Sequence, residues 1–453
     1  MRFWSVFAAM AILAGGLAGC GGGGGGGGVG LPIVTATPMT LTVNVNGAVV
    51  TAGTDGLYSA KPGDTVEVVP NQNADWTSAS ATAGAVTLRN ADISATKWKA
   101  QIVNTTSAQS NFTLSAKASA NAALTKDAVF KIAGGDARNT QYRVYATNGS
   151  KQTLALNFDT MSYTMTDDTG AVASDAFAVD SMVANGYLFK SSRITSTINT
   201  ARFRLADNTV VGAFPFTQAG STTTFAVQPF IASNALVTTQ ADLAGTYNRL
   251  GINLTATTRD SNIRQIAITA GGAQVLMCSE VTITAVANCP AASVLTYNVT
   301  PASAPTDWRL TNVANPADTG VFSIARIGGE NVYLSAGTAV IGAAGEVVFR
   351  VGVQQQAEWP TSTAIVSSDT NGTWGTVSFD ASSYATGFIR PDGTNGTLGL
   401  AVSLIGAPAE LNIRIAPLGG SSGSYFLVQS GKIAAVVGAR GPQGGYMQFG
   451  LID

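Results

Sequence analysis

Serine stands twice in a spacing that hydrolytic enzymes use. Ser421 is the central residue of "GGSSG" (419–423), a G-x-S-x-G match, and Ser94 begins "SATK" (94–97), an S-x-x-K match. The first motif requires a histidine partner and a following helix, and the second requires separate S-D-N and K-T-G elements. The chain has no histidine and neither of those elements. Because strand-like sequence follows both motifs, we interpret them as turns and expect no serine catalysis.

Carboxylates are the other groups suited to chemistry. Glu358 in "AEWPTS" lies beside a tryptophan, as in sites that stack a sugar and hydrolyse it with paired carboxylates. Asp167, Asp168 and Asp175 in "TDDTGAVASD" offer the oxygen ligands that calcium prefers, although their spacing matches no EF-hand loop. We favour a surface glutamate and a solvated turn, and we leave calcium binding open. The prediction is a protein that is not an enzyme, with no cofactor and no assigned metal site.

The charge content limits the partners. Charged residues make up 11% of the 453 residues and the net charge is −1, whereas charged residues usually make up about 25%. No basic patch or run is present, so we expect no nucleic-acid partner.

The elements that must position any site are strands. "MTLTVNVNG" (39–47) alternates apolar Leu41, Val43 and Val45 with polar residues, and "QTLALNF", "ARFRLAD", "IRQIAIT" and "ELNIRIA" repeat this pattern. A period of two predicts half-buried antiparallel strands. Asn-Gly and Asp-Gly pairs suit the positive φ angles of tight hairpin turns. The predicted fold class is all-β, with turns at Asn46-Gly47, Asp55-Gly56, Asn148-Gly149, Asn185-Gly186, Asn371-Gly372, Asp392-Gly393 and Asn395-Gly396.

The N-terminus has the anatomy of an export signal. Arg2 precedes the apolar stretch "FWSVFAAMAILAGG", which is too short to span a bilayer comfortably. Leu17-Ala18-Gly19-Cys20 resembles the lipobox of bacterial lipoproteins, whose cysteine is lipidated on sulfur and becomes the new N-terminus. The resemblance implies a signal peptide over 1–19 and a lipid anchor on Cys20.

Eight glycines, 21–28, follow that cysteine. Glycine loses the most backbone entropy on ordering, so we interpret 20–35 as a lipidated cysteine with a tether. About ten Gly-rich residues reach roughly 17 Å. By what lipoprotein signals imply, the absence of aspartate after Cys20 favours the outer membrane. The sequence leaves open whether the protein faces the periplasm or the cell surface.

Two further cysteines, Cys278 and Cys289, form an even pair in a chain bound for an oxidising compartment. We predict a disulfide between them. "EVTITAV" between the cysteines alternates like one strand, and a straight strand would hold them about 35 Å apart. The bridge therefore requires this segment to turn back on itself.

Strand rhythm divides the mature chain into three regions. Residues 36–134 resemble an immunoglobulin-like β-sandwich, although the Cys…Trp…Cys spacing of true immunoglobulin domains is absent. Residues 137–239 form a β-rich domain or the first part of a barrel, and 240–453 form an antiparallel meander or barrel. The sequence leaves open whether 137–453 is one barrel or two domains.

Gly245-Thr246-Tyr247 resembles the first residues of lipocalin-type barrels, which enclose one apolar ligand. Two functions follow. In the favoured one, solidly packed modules form a non-catalytic surface binding, adhesive or structural protein that recognises a protein or glycan through exposed loops at 165–176, 367–375 and 390–397. In the alternative, the barrel carries a small apolar ligand.

Overall fold

The computed structural model confirms an all-β chain with short 3-10 helices. The helices are Gln240–Leu243, Ala270–Gly272, Val286–Asn288 and Ala291–Ser293. The structure describes residues 36–218, 223–255, 257–280, 285–304, 306–355, 362–404, 413–418, 423–430, 432–439 and 443–452.

The N-terminal module is a sandwich of two sheets, in the strand orders β2-β1-β4-β7-β6 and β3-β9-β8-β5. Its strands pair antiparallel except β3, which runs parallel to β9. Trp98, Phe112 and Phe130 pack between the sheets and are fully buried or nearly so. The strands are β1 Leu41–Val45, β2 Ala48–Val50, β3 Tyr58–Ala60, β4 Thr65–Pro70, β5 Ala74–Ser80, β6 Val86–Ser94, β7 Lys97–Asn104, β8 Ser110–Ala118 and β9 Thr125–Ile132.

The first barrel is a closed ring of eight antiparallel strands in chain order. Its last strand closes on its first, with Val144 opposite Ala232 and Ala146 opposite Phe230. The strands are β10 Thr140–Ala146, β11 Lys151–Asn157, β12 Ser162–Asp167, β13 Val172–Val179, β14 Gly186–Phe189, β15 Arg202–Ala206, β16 Thr209–Thr217 and β17 Phe225–Ser233.

Aromatic side chains fill the interior of the first barrel. Phe189 lies 4.4 Å from Phe203 and 5.1 Å from Phe214, measured between ring centroids. Tyr163, Phe216 and their neighbours continue this stack, and all of these rings are buried. The first barrel is therefore a solid core.

The second barrel has the same order of eight strands, closed between β18 and β25. A 3-10 helix, Gln240–Leu243, leads into it. The strands are β18 Gly245–Leu254, β19 Arg259–Ile268, β20 Gln274–Cys278, β21 Val294–Pro301, β22 Trp308–Asn312, β23 Thr319–Ile327, β24 Glu330–Thr338 and β25 Val347–Gln354.

The third unit repeats the pairing of consecutive strands seen in the two barrels, except that one strand is bent into two segments. Its end strands, β29 and β30, are consecutive in the chain and are separated only by Val402. β29 pairs with β28 and β30 pairs with β31, so the two ends of this nine-stranded sheet meet at Val402; we call the sheet the third ring, although no pairing between β29 and β31 closes it among the described residues. The strands are β26 Ser362–Asp369, β27 Trp374–Phe379, β28 Ser383–Ile389, β29 Asn395–Ala401, β30 Ser403–Leu404, β31 Arg414–Pro417, β32 Ser424–Ser430, β33 Ile433–Gly438 and β34 Met447–Leu451.

The three rings share a core built from their outer faces. β10 of the first barrel packs on β24 of the second, β16 packs on β26 and β34 of the third, and β18 and β25 of the second pack on β33 and β32. The apolar side chains between them include Tyr145, Val211, Leu250, Phe349 and Phe449. Much of the apolar alternation in these strands therefore points out of the rings.

Region boundaries differ in one respect from the sequence analysis. The first barrel ends at Ser233 and the second begins at Gly245, close to the expected division at 239. Residues 240–453 contain two rings rather than a single meander, and the second ring ends at Gln354. The first ring is closed within itself, so the stretch 137–453 is not one barrel.

Candidate functional site

A partly open cavity of about 460 Å³ lies in the mouth of the second barrel. This volume is within the range of about 300–1,000 Å³ that small-molecule sites occupy. Residues on all eight strands line it, together with the hairpin after β24 and Lys151 of the first barrel. They include Arg249, Asn253, Ile266, Val275, Met277, Tyr297, Leu310, Asp318, Gly320, Tyr333, Ser335, Gly337, Val340, Ile341 and Arg350.

One end of the cavity is closed by the segment that enters the barrel. Val237 and Leu243 are buried in a cluster with Tyr247, Trp308 and Phe322. The Trp308 indole N–H donates to the Val237 carbonyl at 3.3 Å, and the Tyr247 hydroxyl donates to the Leu243 carbonyl at 2.8 Å. Tyr247, the residue that suggested a lipocalin-like start, thus lies at the closed end of the ring.

Two arginines face the cavity at the seam where the ring closes. Arg249 on β18 stands opposite Gly352 on β25, and Arg350 on β25 stands opposite Gly251 on β18. Such diagonal neighbours on an antiparallel pair are about 7–8 Å apart. A Cβ at Gly251 would lie 2.2 Å from Arg350 Cδ, so glycine is what lets the Arg350 side chain cross the neighbouring strand.

The hydrogen-bond acceptors of the Arg350 side chain are neutral oxygen atoms. Its Nη1 donates to the carbonyls of Ile252 at 2.5 Å and Phe349 at 2.9 Å, and its Nη2 donates to the Asn253 side chain. Burial, and secondly the charge of Arg249, lower the pKa of Arg350 to about 9. Arg350 therefore remains cationic at neutral pH.

Arg249 has weaker partners. Its Nη2 donates to Asn262 Oδ1 at 3.2 Å and contacts Met277 Sδ at 3.3 Å. Its Nε is buried and has no hydrogen-bond partner within the described residues. An unpaired N–H costs about 1–3 kcal/mol, and more when the group is charged, so the hydrogen-bonding capacity of Arg249 is incompletely satisfied within the described residues.

Nearby carboxylates do not neutralise the arginines. Asp318 accepts hydrogen bonds from the Tyr297 hydroxyl at 2.8 Å and the Asn312 amide at 3.0 Å. Glu346 accepts from Asn253 and from the Ala343 backbone N–H. Glu346 and Asp260 act on Arg350 only through their more distant charge. Neither arginine forms an ion pair in the part of the chain that the structure describes.

Apolar side chains line much of the rest of the cavity. Met277 and Leu310 are partly buried and pack against the buried cluster that closes the barrel. Gly320 lies on β23, and a Cβ at this position would meet only Leu310 Cδ1, at 3.9 Å. At the tip of the β24–β25 hairpin, Val340 and Ile341 are 60% and 55% exposed. The cavity thus combines a cationic seam with an apolar lining.

The predicted disulfide between Cys278 and Cys289 is present, with the Cα atoms 5.6 Å apart. Cys278 ends β20, directly after cavity-lining Met277, and Cys289 follows the 3-10 helix Val286–Asn288. The segment turns back as the bridge requires, and the disulfide fixes the β20–β21 connection beside the cavity.

Ser94, the first residue of the S-x-x-K match, lies at a hairpin. Ser94 ends β6, Lys97 begins β7, and the Lys97 ammonium pairs with Asp92 at 2.5 Å. No helix follows Ser94, so it lacks the setting of an S-x-x-K nucleophile. Ser421 lies outside the described residues, between β31 and β32, which pair antiparallel from Pro417 and Ser424.

The three aspartates proposed for calcium serve local contacts. The Asp167 carboxylate accepts the Thr169 and Ala171 backbone N–H groups at 2.9 Å each, and the Thr169 hydroxyl is the main cause that lowers the pKa of Asp167. Asp168 pairs with Arg143 at 2.7 Å, and Asp175 accepts from the next backbone N–H. Within the described ranges, no group of three or more His, Cys, Asp or Glu residues could hold a metal ion.

Other predicted residues fall elsewhere. Glu358 and Cys20 lie outside the described residues. The loop 367–375, expected to be exposed, is partly buried: Asp369 and Thr370 are 4% and 5% exposed, and Ser368 Oγ donates to the Gly212 carbonyl of the first barrel. This loop is buried because it packs at the junction between rings.

Sequence analysis missed Arg249 and Arg350. The available signal was the alternation in "GTYNRLGINL" and "VVFRVGVQ", where arginine and glycine occupy one face and Leu, Ile, Phe and Val the other. The polar face is the inner one, since the apolar face joins the shared core.

Comparisons with known proteins give little. No protein-family model and no curated protein matches the chain. A DUF4784 family protein from Bacteroides caccae is 9% identical, with a TM-score of 0.19 over 79% of this chain and 95% of that one. A DnaN sliding clamp (DNA polymerase III subunit beta) from Pseudomonas aeruginosa, bound to griselimycin, is 9% identical, with a TM-score of 0.12 over 69% and 90%. At these TM-scores neither likeness carries an argument. Searched over its described residues, the chain has no helix long and apolar enough to cross a membrane.

Proposed function

We propose that this protein is a lipid-anchored, non-catalytic binding protein of the bacterial outer membrane, and that its ligand site is the cavity of the second barrel. The observation that carries the binding role is the contrast between neighbouring rings. Aromatic rings fill the first barrel, whereas glycine and arginine occupy inward positions of the second and leave about 460 Å³ open. Of the two functions expected from sequence, this geometry favours the carrier.

The anchor is tested by fractionation. Three acyl chains, each contributing about 0.8 kcal/mol per buried CH₂, make attachment effectively irreversible. Cys20→Ala is expected to move the protein from the membrane fraction to the soluble fraction. Retention of Cys20→Ala in the membrane pellet after a high-salt wash would contradict the anchor.

The ligand site is tested by blocking the cavity. The complete mature chain carrying Cys20→Ala is titrated with N-phenyl-1-naphthylamine, a neutral apolar probe whose fluorescence rises on burial. We expect saturable 1:1 binding that Gly320→Trp abolishes, because the new side chain extends into the cavity. Gly399→Trp is the matched control, since Gly399 is exposed on the third ring and a Cβ there meets nothing within 4 Å.

Absence of saturable binding, or binding that persists in Gly320→Trp, would contradict the proposed carrier function. It would favour the surface binding or adhesive protein, whose recognition then falls on exposed turns such as 390–394, where Asp392 holds the turn through the Thr394 backbone N–H.

A further inference from the structure

Two guanidinium groups inside one ring without an ion pair are an unusual arrangement. Buried cations are ordinarily paired, because removing a charge from water costs several kcal/mol per ion. Arg249 and Arg350 instead approach each other diagonally across the β18–β25 seam, and their hydrogen bonds go to backbone carbonyls, side-chain amides and a thioether. Among the described residues, neither guanidinium has a carboxylate in direct contact, and Glu346 and Asp260 act on Arg350 only at longer range.

The backbone is arranged to permit this. Each arginine faces a glycine on the other strand. A Cβ at Gly251 would overlap the Arg350 side chain, whereas one at Gly352 would lie closest to Tyr333 Cβ, at 3.1 Å. The corresponding seam of the first barrel pairs Val144 with Ala232 and Ala146 with Phe230. An apolar seam therefore suffices to close such a ring, and the arginines are not needed for closure.

We propose that Arg249 and Arg350 bind the anionic group of a small amphiphile, whose apolar body lies against Met277, Leu310 and the neighbouring apolar lining. This rests on the proposed ligand site and specifies its chemistry. A carboxylate, phosphate or sulfonate accepts two or more N–H groups from paired guanidiniums, and both arginine side chains line the cavity.

The size and polarity of the cavity select the class. A volume of about 460 Å³ exceeds what an inorganic anion needs, and the apolar lining and the exposed Val340 and Ile341 favour a hydrocarbon body. The other charged groups facing the cavity are Lys151, Asp318 and Arg309. Lys151 is already paired with Asp307 at 3.1 Å, and Asp318 lies with Tyr297 and Asn312.

The experiment is isothermal titration of the mature Cys20→Ala chain with sodium decanoate, decanol and inorganic phosphate. We expect 1:1 binding of decanoate at least tenfold tighter than that of decanol, and no binding of phosphate. Arg249→Gln and Arg350→Gln should each weaken decanoate at least tenfold while changing decanol less than threefold. Arg350→Lys, which keeps the charge but loses the planar donor pair, should fall between. Arg326→Gln is the control, because this exposed arginine of the same ring pairs with Asp242 outside the cavity.

Melting temperatures distinguish a role of the arginines in ligand binding from a role in stabilising the fold. Because the arginines repel each other in the empty cavity, Arg350→Met should melt no lower than the parent chain without ligand, and decanoate should raise the melting temperature of the parent only. A lower melting temperature in Arg350→Met, with decanoate affinity intact in Arg249→Gln, would make the pair structural and overturn the proposal.

The remaining outcomes are distinct. Equal binding of decanoate and decanol, both lost in Gly320→Trp, keeps the ligand site and overturns the anion preference. Phosphate binding that competes with decanoate would indicate that the ligand is an inorganic anion, and it would overturn the proposed amphiphile. Absence of decanoate and decanol binding overturns both this inference and the proposed function.

Discussion

Lys151 provides a sharp test of how the first two barrels are joined. Its ammonium, on β11 of the first barrel, lies 3.1 Å from Asp307 Oδ2 beside β22 of the second. Ser323 Oγ donates to Asp307 Oδ1 at 2.8 Å, and the Tyr145 hydroxyl of the first barrel donates to Ser323 Oγ at 2.6 Å. This chain of contacts crosses the junction between the barrels.

Lys151→Met should destabilise the protein strongly. The Asp307 side chain is 6% exposed and that of Lys151 is 17% exposed, so the variant leaves a nearly buried carboxylate with only Ser323 as partner. Removing one member of a buried pair costs about 3–5 kcal/mol. Because Lys151 retains some contact with water, we expect the lower end, about 3 kcal/mol.

The assay is urea unfolding of residues 20–453, the chain without the proposed signal peptide, followed by circular dichroism. The double variant Lys151→Met/Asp307→Asn should recover most of the loss, because a neutral amide still accepts from Ser323 and carries no charge to solvate. Lys99→Met is the matched control: its pair with Glu67 has side chains 43% and 32% exposed, and exposed pairs contribute only about 0–1 kcal/mol.

The reasoning would be refuted by a change below about 0.5 kcal/mol in Lys151→Met, a value typical of surface substitutions. It would also be refuted by a double variant no more stable than the single one, since the penalty is attributed to the unpaired charge.

Three further outcomes are expected. Replacing Cys278 and Cys289 with alanine should lower the free energy of unfolding by about 3 kcal/mol in the chain-entropy model, and a reductant should then have no further effect on the urea midpoint. Phe230→Ala should cost about 3–5 kcal/mol, because the side chain is fully buried in the filled first barrel; the same urea titration measures it. Burial raises the pKa of Asp369 in the folded state. The contribution of this carboxyl group to the stability of the fold is therefore complete below the unfolded pKa of about 3.9. That contribution is lost as the pH rises through the folded pKa. Asp369→Asn should therefore melt above the parent at pH 7 and lose that advantage near pH 4, as thermal scans across this range would show.

Local sequence pattern was sufficient for the fold class and many turns. Alternation predicted strands because a pleated backbone sends successive side chains to opposite faces. Asn46 and Gly47 have φ angles of 51° and 82°, which is the tight turn that their types predict. The prediction of a turn at Asn395-Gly396 was wrong, because both residues begin β29. A Cβ at Gly396 would lie 2.4 Å from the Phe388 ring. Glycine there permits ring packing rather than chain reversal.

Alternation could not predict which face of a strand turns inward. In β18 and β25 the apolar residues Leu250, Ile252 and Phe349 point outward into the shared core, so the usual assumption that apolar means interior places Arg249 and Arg350 on the surface. Only the packing of three rings on one another, a long-range property, reverses the faces. For the same reason, the loop at 367–375 was expected to be exposed.

Closure of the first two barrels also bears on behaviour at high local concentration. A ring of strands presents no first or last strand, so its backbone N–H and C=O groups have no free row on which a neighbouring molecule could add a strand. Free edges among the described strands belong to β29 of the third ring, which pairs with β28 alone, and to the end strands of the N-terminal sandwich. In the sandwich, β2 and β3 have three residues each and β6 is interrupted by a register shift between Arg89 and Asp92, whereas β5 is a regular strand of seven residues. Short or irregular edges are poor templates. The two closed barrels are therefore protected against edge-to-edge pairing by their topology, without relying on the charged surface that the composition lacks.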